Sequence, residues 1–268
     1  GPRAAAALRA ALDHIRAFCT ESGWPRGTLH PPRPFFTEKA FPEDEAVVTL
    51  SAALDEADAG EAVFLYEKRF GRRSQFELKV PIGIESAGRS QNGGLGDIEV
   101  GVKHALWDDL ERGGIVSAGL DVRVPTGDEE RGLGKGTFLL EPYLSWSQIL
   151  PADGFSHLQL KAEIPKERDD ATPEVLLRWA VGRTFVNGRF GRAWSPMIET
   201  LVARKFPRGG QDWQLDVVPQ VQVSLNQRQH VLLNVGVRIP LSGAEERPTE
   251  LLVYLLWDWF DGGLADGW

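Results

Sequence analysis

From Ala46 onward, apolar and polar residues alternate with a period of two, and the pattern persists almost to the end of the chain. In Asp97-Ile-Glu-Val-Gly-Val-Lys103 the apolar residues are Ile98, Val100 and Val102, with Asp97, Glu99, Gly101 and Lys103 between them. Successive side chains of a strand point to opposite faces, so such a segment has one greasy face and one charged face. Twelve segments of this kind begin near residues 46, 61, 74, 96, 114, 137, 155, 173, 193, 212, 230 and 248. Each runs about 9 to 14 residues. That exceeds the mean strand of about 5–6 and suffices to cross a bilayer at a tilt, which takes roughly 9–11.

The connections alternate in length. Gaps such as Glu85–Leu95 and Thr126–Gly136 are long, polar and rich in glycine or charge, whereas Gly71–Arg73, Asp108–Gly113 and Pro151–Gly154 are short. A meander with short turns on one side and long loops on the other is the asymmetry of an outer-membrane barrel. Lys79-Val-Pro81, Arg123-Val-Pro125, Glu163-Ile-Pro165, Lys205-Phe-Pro207 and Arg238-Ile-Pro240 each place proline just before a long loop, on alternate strands. Proline cannot donate to a sheet ladder and belongs at strand ends or bulges, so the repeat marks one common rim.

Alternation alone also fits a soluble β-sandwich, which stays open as an alternative. Three features favour the barrel. Trp107, Trp146, Trp194, Trp257 and Trp259 fall near strand ends on the short-turn side, and tryptophan concentrates at membrane interfaces. The strand count is even, with hairpin-like connections throughout. The last segment, Leu251 to Phe260, is very apolar. The expected fold class is therefore all-β: a twelve-stranded antiparallel up-and-down transmembrane β-barrel with a short N-terminal helix and a Pro-rich linker.

The polar parity then faces a lumen. It holds Glu77, Lys79, Glu99, Lys103, Asp121, Arg123, Glu141, Lys161, Glu163, Arg178, Glu199, Asp216 and Arg238, seven acids and six bases. A Lys or Arg turned to lipid at mid-depth costs about 2–4 kcal/mol, so confinement of charge to one parity itself argues for the barrel. Twelve strands lie between the eight or so that side chains fill and the 16 or more that leave an open channel. The lumen is expected to be narrow, laced with ion pairs and partly blocked, and the N-terminal extension is expected either to narrow its periplasmic mouth or to dock on a partner.

Two domains are expected: residues 1–45, a periplasmic N-terminal helix and Pro-rich linker, and residues 46–268, the outer-membrane barrel. Residues 4–18 carry Leu8, Leu12 and Ile15 at helical spacing. Thr20 to Glu45 contains Pro25, Pro31, Pro32, Pro34 and Pro42, which fix φ and remove donors, so it reads as extended chain. Gly1-Pro2-Arg3 and the alanines after it lack the regions of a secretory leader, so the chain is expected to be a processed or trimmed form.

Composition narrows the function. A formal net charge of −8 argues against nucleic acid, whose phosphates need a concentrated basic surface. One Cys excludes a disulfide framework. The longest apolar run, Leu251 to Trp257, is seven residues, far short of a membrane-spanning helix. Gly132-Leu-Gly-Lys-Gly-Thr137 does not meet the phosphate-loop pattern, because Gly136 follows Lys135. His14, His30, His104, His157 and His230 show no metal-ligand spacing, and no G-x-S-x-G elbow occurs, so no metal, cofactor or catalytic residue is expected.

Gly94-Leu-Gly-Asp-Ile-Glu-Val-Gly-Val-Lys103, Ser117-Ala-Gly-Leu-Asp-Val-Arg-Val-Pro-Thr-Gly-Asp128 and Gly132-Leu-Gly-Lys-Gly-Thr137 resemble the outer-membrane transporter-like barrels linked to the meta-pathway of phenol degradation. The resemblance covers most of residues 46–268 and implies a channel in the bacterial outer membrane, with the bilayer and a small-molecule solute as partners. Leu12-Asp-His-Ile-Arg-Ala-Phe18 is similar to the closing helix of a c-type cytochrome domain, yet no Cys-x-x-Cys-His occurs in the chain. That likeness implies a periplasmic or cytochrome partner reached through residues 1–45. Two functions follow as expectations: passage of small solutes through the charged lumen, or a non-conducting anchor in a larger envelope complex.

Overall fold

The computed structural model describes residues 31–54, 59–71, 73–87, 90–91, 93–167, 171–187, 192–207, 212–226, 229–243 and 247–259. The expected helix at residues 4–18 lies outside them. Twelve long strands follow in order: β1 Glu45–Ala53, β2 Ala59–Phe70, β3 Ser74–Ala87, β4 Ile98–Asp109, β5 Gly114–Val124 and β6 Leu139–Leu150. They continue with β7 Gly154–Pro165, β8 Glu174–Arg183, β9 Arg192–Lys205, β10 Asp212–Ser224, β11 Val231–Pro240 and β12 Glu250–Asp258. Each start lies within two residues of the position read from the alternation. Short ladders at Ser90–Gln91, Gly94–Leu95 and Phe185–Asn187 extend the wall locally.

Every strand pairs antiparallel with its sequence neighbour, and β1 closes the ring on β12 from Glu45↔Asp258 to Ala53↔Glu250. Closure leaves no sheet edge, which a lipid environment requires because it offers unpaired backbone groups no water. The short turns gather at one rim. At Pro151–Gly154 the chain reverses with Ala152 and Asp153 both at positive φ (57° and 59°), the mirror-image turn geometry that matches strand twist. The prolines of the repeat share the opposite rim. Pro165 and Pro240 end their strands, Pro125 follows its strand directly, and Pro207 follows Lys205 after one residue. At Pro81 the ladder from β3 to β4 has just stopped at Lys79↔Glu99.

One parity of the wall is exposed and apolar: Leu50, Phe64, Val102, Leu144, Leu160, Leu177, Ile198 and Leu255 are among its members. Trp107 and Trp194 lie near the short-turn rim, and Phe138, Phe206 and Trp213 near the other. An apolar belt between aromatic girdles is the outer surface of a transmembrane barrel.

The other parity is buried, but not uniformly polar as the sequence suggested. From β3 to β7 it is mostly polar or charged, with Ala105 and Ile115 packed on Ala40 and Phe41 of the Pro-rich segment and Leu139 and Phe155 also buried. On β9, β10, β12, β1 and β2 it includes Leu201, Val218, Leu252, Tyr254, Val47 and Leu65, all buried. The reason is the Pro-rich segment. Residues 31–44 carry no helix or strand and are almost wholly buried, and Phe35 and Phe36 pack on that apolar wall.

Candidate functional site: an occupied lumen

Proline-rich chain cannot satisfy its backbone groups through a ladder, and unpaired buried groups are costly. Here the barrel wall supplies the partners. Arg33 N–H donates to Gln222 Oε1 (3.0 Å), and the Tyr254 hydroxyl donates to the Arg33 carbonyl (2.6 Å). Glu38 N–H reaches Gln159 Oε1 (3.3 Å), and Glu43 N–H reaches Gln75 Oε1 (2.6 Å). Ala40 N–H donates to Ser147 Oγ (2.9 Å), and its carbonyl accepts from Ser117 Oγ (2.5 Å). Ser147 Oγ lies 2.8 Å from His157 Nδ1, whose Nε2 donates to the Pro32 carbonyl (3.1 Å). This Ser–His contact grips backbone at both ends, and that tautomer leaves the imidazole without a free nitrogen.

The path is a re-entrant loop. Pro32 and Arg33 lie near the short-turn ends of β7 and β10; Phe36 and Thr37 reach Glu199, at mid-strand on β9. The chain then returns to Asp44, which binds Arg69 (2.7 Å) and Lys68 (2.6 Å) beside the start of β1. The short-turn half of the lumen is thereby filled.

Of the thirteen charged residues read from the sequence, eight form one connected group in the wall. Arg123 reaches Glu99 (3.3 Å), Glu141 (2.8 Å) and Glu163 (3.9 Å), and Lys161 reaches Asp121 (3.0 Å), Glu99 (4.0 Å) and Glu141. Lys79 pairs with Glu99 (2.8 Å) and Glu77. Asp121 fits because its neighbour is Gly101, where a Cβ would stand 2.2 Å from Asp121 Oδ1. Three others hold the loop. Lys103 binds Glu38 (2.6 Å) and the Lys39 carbonyl (2.8 Å), and Arg178 Nη1 donates to the Phe36 carbonyl (2.8 Å). Glu199 Oε1 accepts from Phe36 N–H (3.0 Å), Thr37 N–H (2.5 Å) and Thr37 Oγ1 (2.7 Å). The remaining two, Asp216 and Arg238, pair with each other (2.7 Å), and Arg238 also reaches Glu250 (3.5 Å) and lies over the Phe36 ring (5.2 Å).

The loop brings charges of its own, which the wall reading missed. Arg33 binds Glu67 (3.0 Å), Glu38 (3.4 Å) and Glu45, and Lys39 binds Glu43 (2.9 Å) and Glu45 (3.4 Å). Burial alone would push the Glu38 carboxyl up, but Lys103 and Arg33 outweigh it and hold the group well below the usual carboxylate range. Burial would likewise lower Lys39, yet Glu43 and Glu45 push its ammonium up. Two carboxylate triplets, Glu38–Glu67–Glu77 and Glu77–Glu99–Asp121, have oxygens within 4.8 Å of one another, but Lys79, Lys103, Arg33 and Lys161 already neutralise them. Gln75, Ser117, Ser147, His157, Gln159, Gln222 and Tyr254, which hold the loop, share the inward parity of the charged residues. That parity was the sequence signal for them.

Beyond the loop the described residues enclose free space. Two cavities, about 350 Å³ and 370 Å³, share Phe36, Glu163, Arg178 and Arg238 in their linings. A closed twelve-stranded ring with an apolar exterior, charged interior and its own chain folded inside is a transmembrane barrel of the outer-membrane kind. The family described as "Putative MetA-pathway of phenol degradation" matches residues 70–250, and the chain belongs to it. No curated protein sequence matches the chain. Among solved structures, an outer membrane channel from Pseudomonas putida F1 is similar with TM-score 0.58 and 13% identity, over 85% of this chain and 99% of that one. The KdgM porin gives TM-score 0.54 and 12% identity over 80% and 99%. The same porin in complex with disordered oligogalacturonate gives 0.53 and 13% over 80% and 99%. At such identities the likeness carries the fold.

Proposed function

We propose that the chain is an outer-membrane channel for small solutes whose charged interior selects what passes and whose residues 31–44 close it from the short-turn, periplasmic side. The observation that carries this reading is the division of the lumen: a half with charged cavities on the long-loop side, and a half filled by a segment covalently joined to β1. The thirteen charged wall residues then act as selectivity lining, with Lys103, Arg178 and Glu199 also latching the closing segment. Family membership and the porin and channel among the structural neighbours support a transport role without catalysis.

A second reading rests on the same occupied lumen. A barrel filled by its own chain can serve as a membrane anchor, with the residues before 31 offered to a periplasmic or cytochrome partner. Deleting residues 1–43, which spares Asp44 on Arg69, separates the two in planar bilayers. The channel reading expects small, rare openings from the full chain and large steady conductance from the deletion. If the deleted barrel inserts, migrates as folded and still does not conduct, the anchor reading replaces it.

A further inference from the structure

The lumen is two-sided. Its cavity adjoins a wall from β12, β1 and β2 in which Leu252, Val47 and Leu65 lie beneath Phe35 and Phe36 of the loop, with half-buried Val63 beside Thr49 and Ser51. β7 and β8 stand six strands around the ring from β1 and β2 and present Lys161, Glu163 and Arg178. A ligand that displaces Phe35 and Phe36 would find that wall vacated.

The charged side is not evenly available. Glu163 faces Arg123 (3.9 Å), and Glu250 and Asp216 both face Arg238 (3.5 and 2.7 Å). Arg178 differs: among the described residues no carboxylate lies within 4.0 Å of it, Glu174 on the same strand attracts it only from farther off, and its Nη1 contacts are the Phe36 carbonyl (2.8 Å) and Gln159 Oε1 (3.4 Å). A guanidinium offers five donors in a planar fork, so Arg178 has donors to spare for a planar anion. Arg238 lies on the other side of the same residue, over the Phe36 ring. Glu61 and Glu174, near the long-loop ends of β2 and β8, have no ion pair among the described residues and oppose a second negative charge.

We propose that the long-loop half of the lumen binds amphipathic monocarboxylates, their carboxylate on Arg178 with Arg238 alongside, and their apolar body against Leu252, Val63 and Leu65. A carboxylate there competes with the Phe36 carbonyl for Arg178, and an apolar body competes with Phe35 and Phe36 for their wall. Cavities of about 350 and 370 Å³ admit a compact ring acid. This site deepens the channel reading but does not need conduction to be measured.

The test is calorimetric titration of the full chain in detergent with cyclohexanecarboxylate, cyclohexanecarboxamide, acetate and cyclohexylmethylammonium. Cyclohexanecarboxylate should bind at least tenfold more tightly than each of the other three. Arg178→Gln should lose at least tenfold for the acid alone, and Arg178→Lys should recover part of it. Equal binding of the amide would overturn the role of the charge, and equal binding of acetate the role of the apolar wall. Absence of heat with any probe would overturn the site. If Arg178→Gln does not fold, the four-probe comparison on the unaltered chain still decides. A chain that conducts potassium chloride but ignores cyclohexanecarboxylate sinks this inference alone. One that binds the acid but never conducts, with or without residues 1–43, sinks the channel reading alone.

Discussion

Glu199→Ala is the most direct probe of the latch. The carboxylate is fully buried, and one oxygen collects Phe36 N–H, Thr37 N–H and Thr37 Oγ1 while the other takes Gln220 Nε2 at 3.0 Å. Hydrogen bonds to a charged acceptor contribute about 1.5–3 kcal/mol each, and orphaned buried donors cost similar amounts. Water from the adjoining cavity can take over some of the three loop donors, so the net loss of docking free energy is about 2–4 kcal/mol. At 1.4 kcal/mol per decade this shifts the open-to-closed ratio about 30-fold to several hundred-fold. Glu199→Gln keeps one oxygen acceptor and should shift it less. Single-channel recording gives the ratio as fractional open time, with heat-modifiable gel mobility as the folding control. If deletion of residues 1–43 opens the barrel while Glu199→Ala leaves open time unchanged, the tip contacts do not hold the segment.

Glu38 is depressed in the folded state, so its contribution is present above the ordinary carboxylate range and is lost as pH falls toward its lowered value. Lys39 is raised, so its contribution is full below the ordinary lysine value and is lost only as pH rises through the raised one. The contribution of these two groups to closure should therefore stay constant from about pH 5 to 10 and fall in strong acid, which open time against pH in the unaltered chain and in Glu38→Gln checks; an equal acid-side rise in both would refute the assignment. Gly119→Val should destabilise the barrel by about 1–3 kcal/mol in urea titrations, because a Cβ there would stand 2.1 Å from the Tyr143 ring, which would have to move. Leu144→Arg, on the exposed apolar parity of β6, should cost about 2–4 kcal/mol of folding in lipid vesicles; a neutral outcome would mean that this face does not meet hydrocarbon.

The barrel was legible because alternation is a local signal that recurs in each strand. Strand starts, the closed meander and the rim prolines all follow from period two and turn chemistry. The charged parity was legible for the same reason. The occupied half of the lumen was not. Pro31, Pro32, Pro34 and Pro42 erase periodicity, so the segment has no register to read, and its partners lie far away: Gln222 is 189 residues from Arg33, and His157 is 125 from Pro32. The inward Gln, Ser and His residues share their alternation with ordinary lumen lining, and nothing local distinguishes a side chain that grips backbone from one that faces water. The apolar inner wall was half visible, since β12 is apolar on both parities, a pattern that alternation alone cannot assign to a side.

The short tether between Thr37 and Asp44 turns closure into a property of a single molecule. Seven residues reach at most ~25 Å when extended, and the tip sits about halfway through an apolar band of ~25 Å. The segment can therefore withdraw past the short-turn rim while Asp44 stays on Arg69 and every strand keeps its register. Having left, it remains leashed at an effective concentration in the millimolar range. Re-insertion would then be first-order and indifferent to how many barrels share the membrane, and a free copy of the segment would compete only at millimolar dose. Under such a leash an opening has to be sustained by whatever causes it, because the barrel carries its own stopper at permanent close range.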